Sequence, residues 1–402
     1  MYQVILFDVD GVLLSEKRCF DTTTLSVWEL LYSEGGLGLA GESFNPNPPE
    51  EEILRIRQTV MDEDQVLEWL KSRGMNSNWD MVSLLFGYQL QRLLYLLHEK
   101  QSATVEEILQ RPLGRKALVQ IGEMVRSEGI AYEPDFGGIV KSLQDLEEEA
   151  DLLESLDQLA YRWSEVRTTS FSHGGTLWKL GREVYQEWYL GRELFEKVER
   201  KAALFPEKKG FLEQEIPLAE PSAIREVLDN LASRGIALGI GTGRPAVETE
   251  VPLAALDLWS AFDSNRIVTA SDVQQAEEVY QDYAPLGKPK PFTYLKAFYG
   301  RDASDAKSVA ARLPLPDGDR VLVVGDSVAD LLAARDMGCD FAVTLTGLTG
   351  EKARAKFEQL NADYILNDVT ELTGVIDALE EEERRREEEQ TEGQPEPGAS
   401  QS

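Results

Sequence analysis

Two aspartates stand one residue apart directly after a short apolar run: Val4-Ile5-Leu6-Phe7 is followed by Asp8-Val9-Asp10-Gly11-Val12. Extended backbone repeats its side-chain direction every two residues, and Gly11 lets the chain turn, so both carboxylates can reach one site. Paired carboxylates suit a nucleophile with a general acid, or two metal ligands. The same motif also suits a loop cap or a calcium loop, so it does not decide the chemistry alone.

Three further motifs follow. In Ile240-Gly241-Thr242-Gly243-Arg244-Pro245, a hydroxyl flanked by glycines can hydrogen-bond a phosphate oxygen while exposed backbone N–H groups approach it closely. Plain turns share that pattern. Gly287-Lys288-Pro289-Lys290-Pro291 is a stiff loop that would present Lys288 or Lys290 as a fixed cation beside a phosphoryl group, although most lysines are simply solvated. Finally, Val321-Leu322-Val323-Val324-Gly325-Asp326-Ser327-Val328-Ala329-Asp330 places Asp326 at a strand end and Asp330 one helical turn later. Hard oxygen ligands of this kind favour magnesium, which keeps several waters and needs few carboxylates.

The elements that must carry these motifs alternate along the C-terminal part. Ser222 caps a helix ending near Arg234; strands are expected at Ile236–Ile240, Arg320–Val324, Phe341–Leu345 and Tyr364–Leu366, with a helix at Val328–Met337. Such alternation implies a mostly parallel sheet covered on both faces. From about Phe20 to Leu204, by contrast, helical periodicity dominates, as in Leu84, Leu85, Tyr88, Leu93, Leu94 and Leu97. An isolated opening strand is unstable, so Met1 to Ser15 should join the C-terminal sheet. The expected organisation is an α/β core of residues 1–15 and 209–379, an inserted all-α cap of 16–208, and an acidic tail of 380–402 that frays from helix into disorder. No fixed-period repeat occurs.

Composition narrows the partners. With 42% hydrophobic and 28% charged residues the chain has an ordinary globular make-up, and it holds no run of about 18 apolar residues that could span a membrane. A net charge of −31, spread over the whole chain, disfavours a nucleic-acid partner, because displacing counterions from a phosphate backbone needs clustered Lys and Arg. A small phosphorylated substrate remains compatible, since a metal and local cations can reverse the sign inside one pocket. The first residues lack the pattern of a secretory signal, which points to the cytoplasm. Cys19 and Cys339 offer neither a disulfide framework nor zinc-ligand spacing.

Taken together, the four motifs, in their order and strand contexts, resemble those of the haloacid dehalogenase (HAD) superfamily. Gly338-Cys339, Thr346-Gly347-Leu348-Thr349-Gly350 and Ala362-Asp363-Tyr364 look like its phosphoglycolate phosphatase relatives. The resemblance covers the start and roughly the last 190 residues, and does not extend to the bulk of the cap. It implies a Rossmannoid parallel-sheet core and a magnesium-dependent hydrolase of small phosphate monoesters. Asp8 then resembles the nucleophile that forms an aspartyl-phosphate, and Asp10 the acid that protonates the leaving oxygen and later activates water. Thr242, Gly243 and Lys288 resemble the phosphate-holding residues; Lys288 is preferred to Lys290 because the family's form is Gly-Lys-Pro. Asp326, Asp8 and the main-chain carbonyl of Asp10 would hold Mg2+, with Asp330 completing the acidic site.

Other chemistries of the superfamily fit less well. Dehalogenases lack the second acid, because halide needs no proton. A phosphonatase needs a cap lysine, and nothing singles out Lys17, Lys71 or Lys179. A sugar phosphomutase shares the core residues and stays open, as does a weakly active member whose large cap binds a partner protein. Within the cap, Phe171-Ser172-His173-Gly174-Gly175-Thr176 reads as a surface loop, His98 as a helix-end residue, and Trp163, Trp178, Trp188, Tyr185 and Tyr189 as core. Substrate identity and oligomeric state are not legible.

Overall fold

Alternation along one short strand sets the layers of the α/β part. Val4–Phe7 (β1) is buried throughout; Ile5 and Phe7 point to one face and Val4 and Leu6 to the other. In the computed structural model, which describes residues 1–73, 75, 77–143 and 152–392, β1 lies between β2 (Ala237–Gly241) and β4 (Val321–Gly325). Both pairings are parallel. With β3 (Ile267–Val268), β5 (Asp340–Thr344) and β6 (Tyr364–Leu366) they make one sheet of order β3-β2-β1-β4-β5-β6.

One face carries Ile5, Phe7, Leu238, Ile240, Leu322 and Val324 beneath Ile224, Leu228 and Leu231 of helix Pro221–Ser233. Val4, Leu6, Val321 and Val323 lie on the other, beneath Tyr294 and Leu295 of helix Phe292–Tyr299 and Leu331, Ala334 and Met337 of helix Val328–Met337. Burial on both faces explains the unbroken apolar strands.

The strands expected at 236–240, 320–324 and 341–345 are found shifted by one residue, and helix Val328–Met337 and β6 stand where the pattern put them. Helix Pro221–Ser233 is not capped by Ser222. Glu220 is its N-cap and Pro221 its first residue, where a fixed φ and a missing N–H cost nothing. β3, at two residues, is too short to show a period.

By contacts the chain divides into two units, 1–16 with 215–402, and 17–214. The second is helical, with no strand among its described residues. Helix Asn78–Leu109 packs against Lys17–Tyr32, Leu152–Ser164 and Thr176–Glu199, and Leu84, Leu85, Tyr88, Leu93, Leu94 and Leu97 are all buried. Residues 209–214, expected in the α/β part, cluster with this unit for a visible reason. Gly191 (φ +69°) breaks helix Thr176–Glu199 and meets Gly210 (φ +82°) so closely that a Cβ on Gly191 would lie 2.5 Å from the Lys209 carbonyl. Phe211 N then donates to Tyr189 O at 2.9 Å, and the Phe211 ring stacks on Trp188.

The acidic run from Glu380, expected to fray from helix into disorder, continues helix Leu372–Glu392 as far as Glu392. Arg234 holds Asp377 and Glu380 at 2.5 and 2.8 Å, and the Met1 amino group holds Glu383 at 2.6 Å. Pairs such as Arg386–Glu382 add i,i+4 support within the run. Residues 393–402, where disorder was also expected, lie outside the described residues. No helix among the described residues is long and apolar enough to cross a membrane.

Candidate active site

The register of the sheet brings the motifs to one edge. Phe7 stands opposite Ile240 and Val324, so Asp8, Thr242 and Asp326 leave the carboxyl ends of three neighbouring strands. β1 is also where the chain order reverses across the sheet, the place at which open α/β sheets bind ligands. The ladder runs one residue further at Asp8, whose N–H donates to Val324 O at 2.8 Å; Thr242 N likewise donates to Val268 O at 3.0 Å.

Lys288 is the hub. Its Nζ lies 2.7 Å from Asp8 Oδ2, 2.8 Å from Asp330 Oδ1 and 3.3 Å from the Gly241 carbonyl. Lys290, two residues on, is exposed. Asp330 is the N3 residue of a capping box with Ser327, and its carboxylate also accepts from Tyr294 Oη at 2.7 Å and Ser327 Oγ at 2.6 Å. Carboxylate oxygens of Asp8, Asp326 and Asp330 fall within 4.8 Å of one another. Asp326 sits in a cradle that only glycine allows: a Cβ on Gly11 (φ +72°) or on Gly347 would lie 2.1 Å from Asp326 Oδ2.

Three acids around one lysine leave an excess of negative charge. Burial, then the charges of Asp330 and Asp10, raise Asp8 from 3.8 to about 7 against the pull of Lys288. Burial with Asp330 and Asp8 pushes Asp326 well above the ordinary carboxylate range. For Asp330, burial is outweighed by Lys288, Ser327 and Tyr294, and the group is held low. Burial opposes the charge on Lys288, but Asp330 and Asp8 more than offset it and hold it above the ordinary lysine range.

Between 3.8 and about 7 the folded, metal-free protein therefore keeps a proton on Asp8 that the unfolded chain has released. That contribution to stability is full below the unfolded pKa and is lost as pH rises through the folded one; Asp330 acts with the opposite sign only in more acid solution. Under chelator, the denaturant midpoint is expected to fall from about pH 5 to about pH 8. A midpoint that climbs over this range contradicts the charge balance described.

A profile of HAD-hydrolase-like proteins matches residues 285–372, the stretch that carries Lys288, Asp326 and Asp330. A crystal structure solved as a target of the Northeast Structural Genomics Consortium is 38% identical to this chain, covering 94% of it and 99% of the other, with a TM-score of 0.82. The chain belongs to the HAD superfamily of hydrolases. More distant likenesses include a HAD-superfamily hydrolase, subfamily IA, of Geobacter sulfurreducens PCA, at 14% identity and TM-score 0.38 over 93% of this chain and 96% of that one. Another is a predicted phosphoglycolate phosphatase of Haemophilus somnus 129PT, at 13% identity and TM-score 0.38 over 93% and 98%. A search of curated proteins finds no significant match.

Within this HAD-type core, the carboxylate of Asp10 stands apart from the acidic triad. Arg244 Nε reaches both its oxygens, at 2.9 and 3.0 Å, and Arg244 Nη2 reaches Oδ1 at 2.6 Å. Thr242 is buried with its Oγ1 accepting from Arg244 N at 3.2 Å, whereas Gly243 is exposed and has open space beside its Cα. Arg244, Tyr294, Ser327 and Glu215 were not singled out from the sequence. Arg244 and Ser327 had a signal, being next to Thr242-Gly243 and to Asp326; Tyr294 and Glu215 reach the site through folding alone.

The remaining candidates belong to the helical unit. Tyr185, Trp188 and Tyr189 are core, while Trp163 and Trp178 are half-buried. His98 meets Glu106 at 3.3 Å and the edge of Trp163. In the loop 171–176, Phe171 is buried, Asp157 takes hydrogen bonds from Phe171 N and Ser172 Oγ, and His173 is exposed.

Proposed function

We propose that the protein is a magnesium-dependent phosphoric monoester hydrolase that attacks a small phosphorylated metabolite with Asp8. The observation that carries this reading is the buried Asp8 carboxylate set 2.7 Å from Lys288 and clustered with Asp326 and Asp330 at the sheet's carboxyl edge. The donor set fits the ion. Three carboxylates supply hard oxygens, one lysine does not neutralise them, and burial, together with the charges of Asp330 and Asp8, pushes Asp326 upward. Asp8 and Asp326, with the main-chain carbonyl of Asp10, would hold the metal. Asp330, which accepts from Lys288, Tyr294 and Ser327, would serve chiefly to fix Lys288. Bound there, magnesium supplies charge stabilisation to the phosphoryl oxygens.

The chain's own groups account for the rest. Lys288 and the Thr242–Gly243 turn would bind the phosphoryl oxygens and turn phosphorus toward Asp8. An Asp8 oxygen attacks phosphorus, the ester P–O bond breaks, and Asp10 gives its proton to the departing oxygen, so that an alcohol leaves and an aspartyl-phosphate remains. Water then attacks that phosphorus, Asp10 takes the water's proton, and the bond to Asp8 breaks to release inorganic phosphate. Both aspartates return to their starting states.

Phosphate release across a panel of small esters, with magnesium and with chelator, tests the reading. Release from at least one ester is expected, and loss of nearly all of it under chelator. Undiminished release under chelator contradicts the metal, and isomerisation of a sugar phosphate without release contradicts hydrolysis.

A further inference from the structure

Arg244 carries an arrangement that the proposed chemistry does not require and the family resemblance did not supply. Its side chain is 4% exposed, and each of its three guanidinium nitrogens is committed to a fixed acceptor. Nε and Nη2 form a fork on the Asp10 carboxylate, at 2.6 to 3.0 Å. Nη1 reaches Glu215 Oε1 at 3.0 Å and the Glu248 carbonyl at 3.4 Å. The Glu215 side chain is 1% exposed, and the backbone that follows it is tied down, because Ser15 N donates to Ile216 O at 2.8 Å and Leu218 N to Leu13 O at 3.1 Å. At the main chain, Arg244 N donates to Thr242 Oγ1 and Arg244 O accepts from Ala270 N at 2.9 Å.

We infer that Arg244 is a positioning residue for Asp10, anchored from behind by Glu215. The inference rests on the acid–base role proposed for Asp10. A planar fork held on one edge by Asp10 and on the other by Glu215 fixes where the Asp10 carboxylate stands and which way its plane faces, which a lysine's single ammonium cannot do. Glu215 has a second effect: it balances the buried guanidinium charge, so Asp10 is not needed as its sole counter-ion and can attend to the substrate. The Asp10 side chain remains 31% exposed, which leaves one side of it open to a leaving group. Because Arg244 and Thr242 share one turn, the phosphate-holding hydroxyl and the acid are set by the same few backbone atoms.

Leaving-group chemistry separates this role from a merely structural one. An alkyl phosphate needs its departing oxygen protonated; p-nitrophenyl phosphate does not. kcat/KM reports the steps through departure of that group, so mispositioning Asp10 should depress it for the alkyl ester alone. Arg244→Lys and Arg244→Met are expected to lower kcat/KM for an alkyl phosphate by about 10- to 100-fold, and for p-nitrophenyl phosphate by less than about threefold. The ratio of the two values within one preparation does not depend on how much of it is folded. Should the arginine variants fail to accumulate, Glu215→Gln keeps an acceptor for Nη1 and is expected to shift the ratio in the same direction.

Asp10→Asn sets the scale and keeps two failures apart. If it depresses the alkyl ester selectively while the Arg244 and Glu215 variants leave the ratio unchanged, depress both esters equally or raise the alkyl rate, the inference is overturned and the proposed function stands. If Asp10→Asn itself lowers both esters equally, the acid role fails, and the inference with it.

Discussion

Replacing Asp8 with asparagine is expected to abolish phosphate release, by on the order of 10⁴-fold or more, in a protein that still folds. The amide removes the nucleophilic oxygen anion and nothing else of comparable reach takes its place: Asp326 leaves a different strand, Asp330 lies in the helix after it and is held by Lys288, Tyr294 and Ser327, and the Asp10 carboxylate is forked to Arg244. Folding should survive because asparagine is isosteric and its carbonyl can keep the hydrogen bond that Val9 N donates to Asp8 Oδ1 at 2.8 Å. Lys288 loses one partner but retains Asp330 and the Gly241 carbonyl. The burial that raises Asp8 to about 7 also shows that its charge opposes folding, so the variant is expected to be no less stable than wild type under chelator. Turnover and denaturant midpoint, measured together, check both halves. Retained turnover would remove Asp8 from the reaction.

Lys288→Met is expected to fail in a different way, losing activity and stability at once. A fixed cation beside the transferring group is worth about 10²- to 10³-fold. Its removal also leaves Asp8 and Asp330 buried without their shared partner, at a cost of about 3 kcal/mol. That cost should shrink in mildly acid solution, where the unpaired carboxylates take up protons. Lys290→Met provides the contrast, since Lys290 is exposed and its backbone N–H donates to Gly287 O. Rates and midpoints for the two variants are expected to diverge at neutral pH. Equal behaviour would mean that the loop, and not the ammonium group of Lys288, matters.

The contrast between those two lysines shows what was legible. Asp8, Thr242 and Asp326 each sit one residue past a strand, so their convergence follows once the strands pair in parallel, and apolar runs announce those strands clearly. Lys288 was separated from Lys290 by the family form Gly-Lys-Pro; in the structure Lys288 meets Asp8 and Asp330, whereas Lys290 is exposed. Arg244 was passed over although it adjoins Thr242-Gly243, because its two carboxylate partners, Asp10 and Glu215, lie 234 and 29 residues away. Long-range pairing of this kind leaves no period or local spacing to read. Tyr294, which fixes Asp330, looks like one more apolar position of a buried helix.

Elsewhere, local composition was incomplete. The Glu380–Glu392 run has nothing to bury and reads as a fraying helix; i,i+4 pairs and the distant Arg234 and Met1 amino group hold it helical. Residues 209–214 read as the start of the α/β part, whereas the approach of Gly191 and Gly210 ties them to the helices. The helical unit also encloses a polar centre that its apolar periodicity hides. Lys208 is fully buried against Glu29 and Glu187, at 2.5 and 3.1 Å, beneath the ring of Trp188.

The central claim is that phosphorus is bonded to Asp8 during turnover, and trapping that bond tests it most directly. Wild-type protein turning over its best ester with magnesium would be quenched in acid, reduced with borohydride and mapped by peptide mass spectrometry. Reduction of an acyl phosphate converts the carboxyl it occupies to an alcohol, so homoserine at position 8 alone, absent when substrate or magnesium is withheld, is the result expected. Phosphate release at full rate with Asp8 unreduced, or with the label on another residue, would contradict the account.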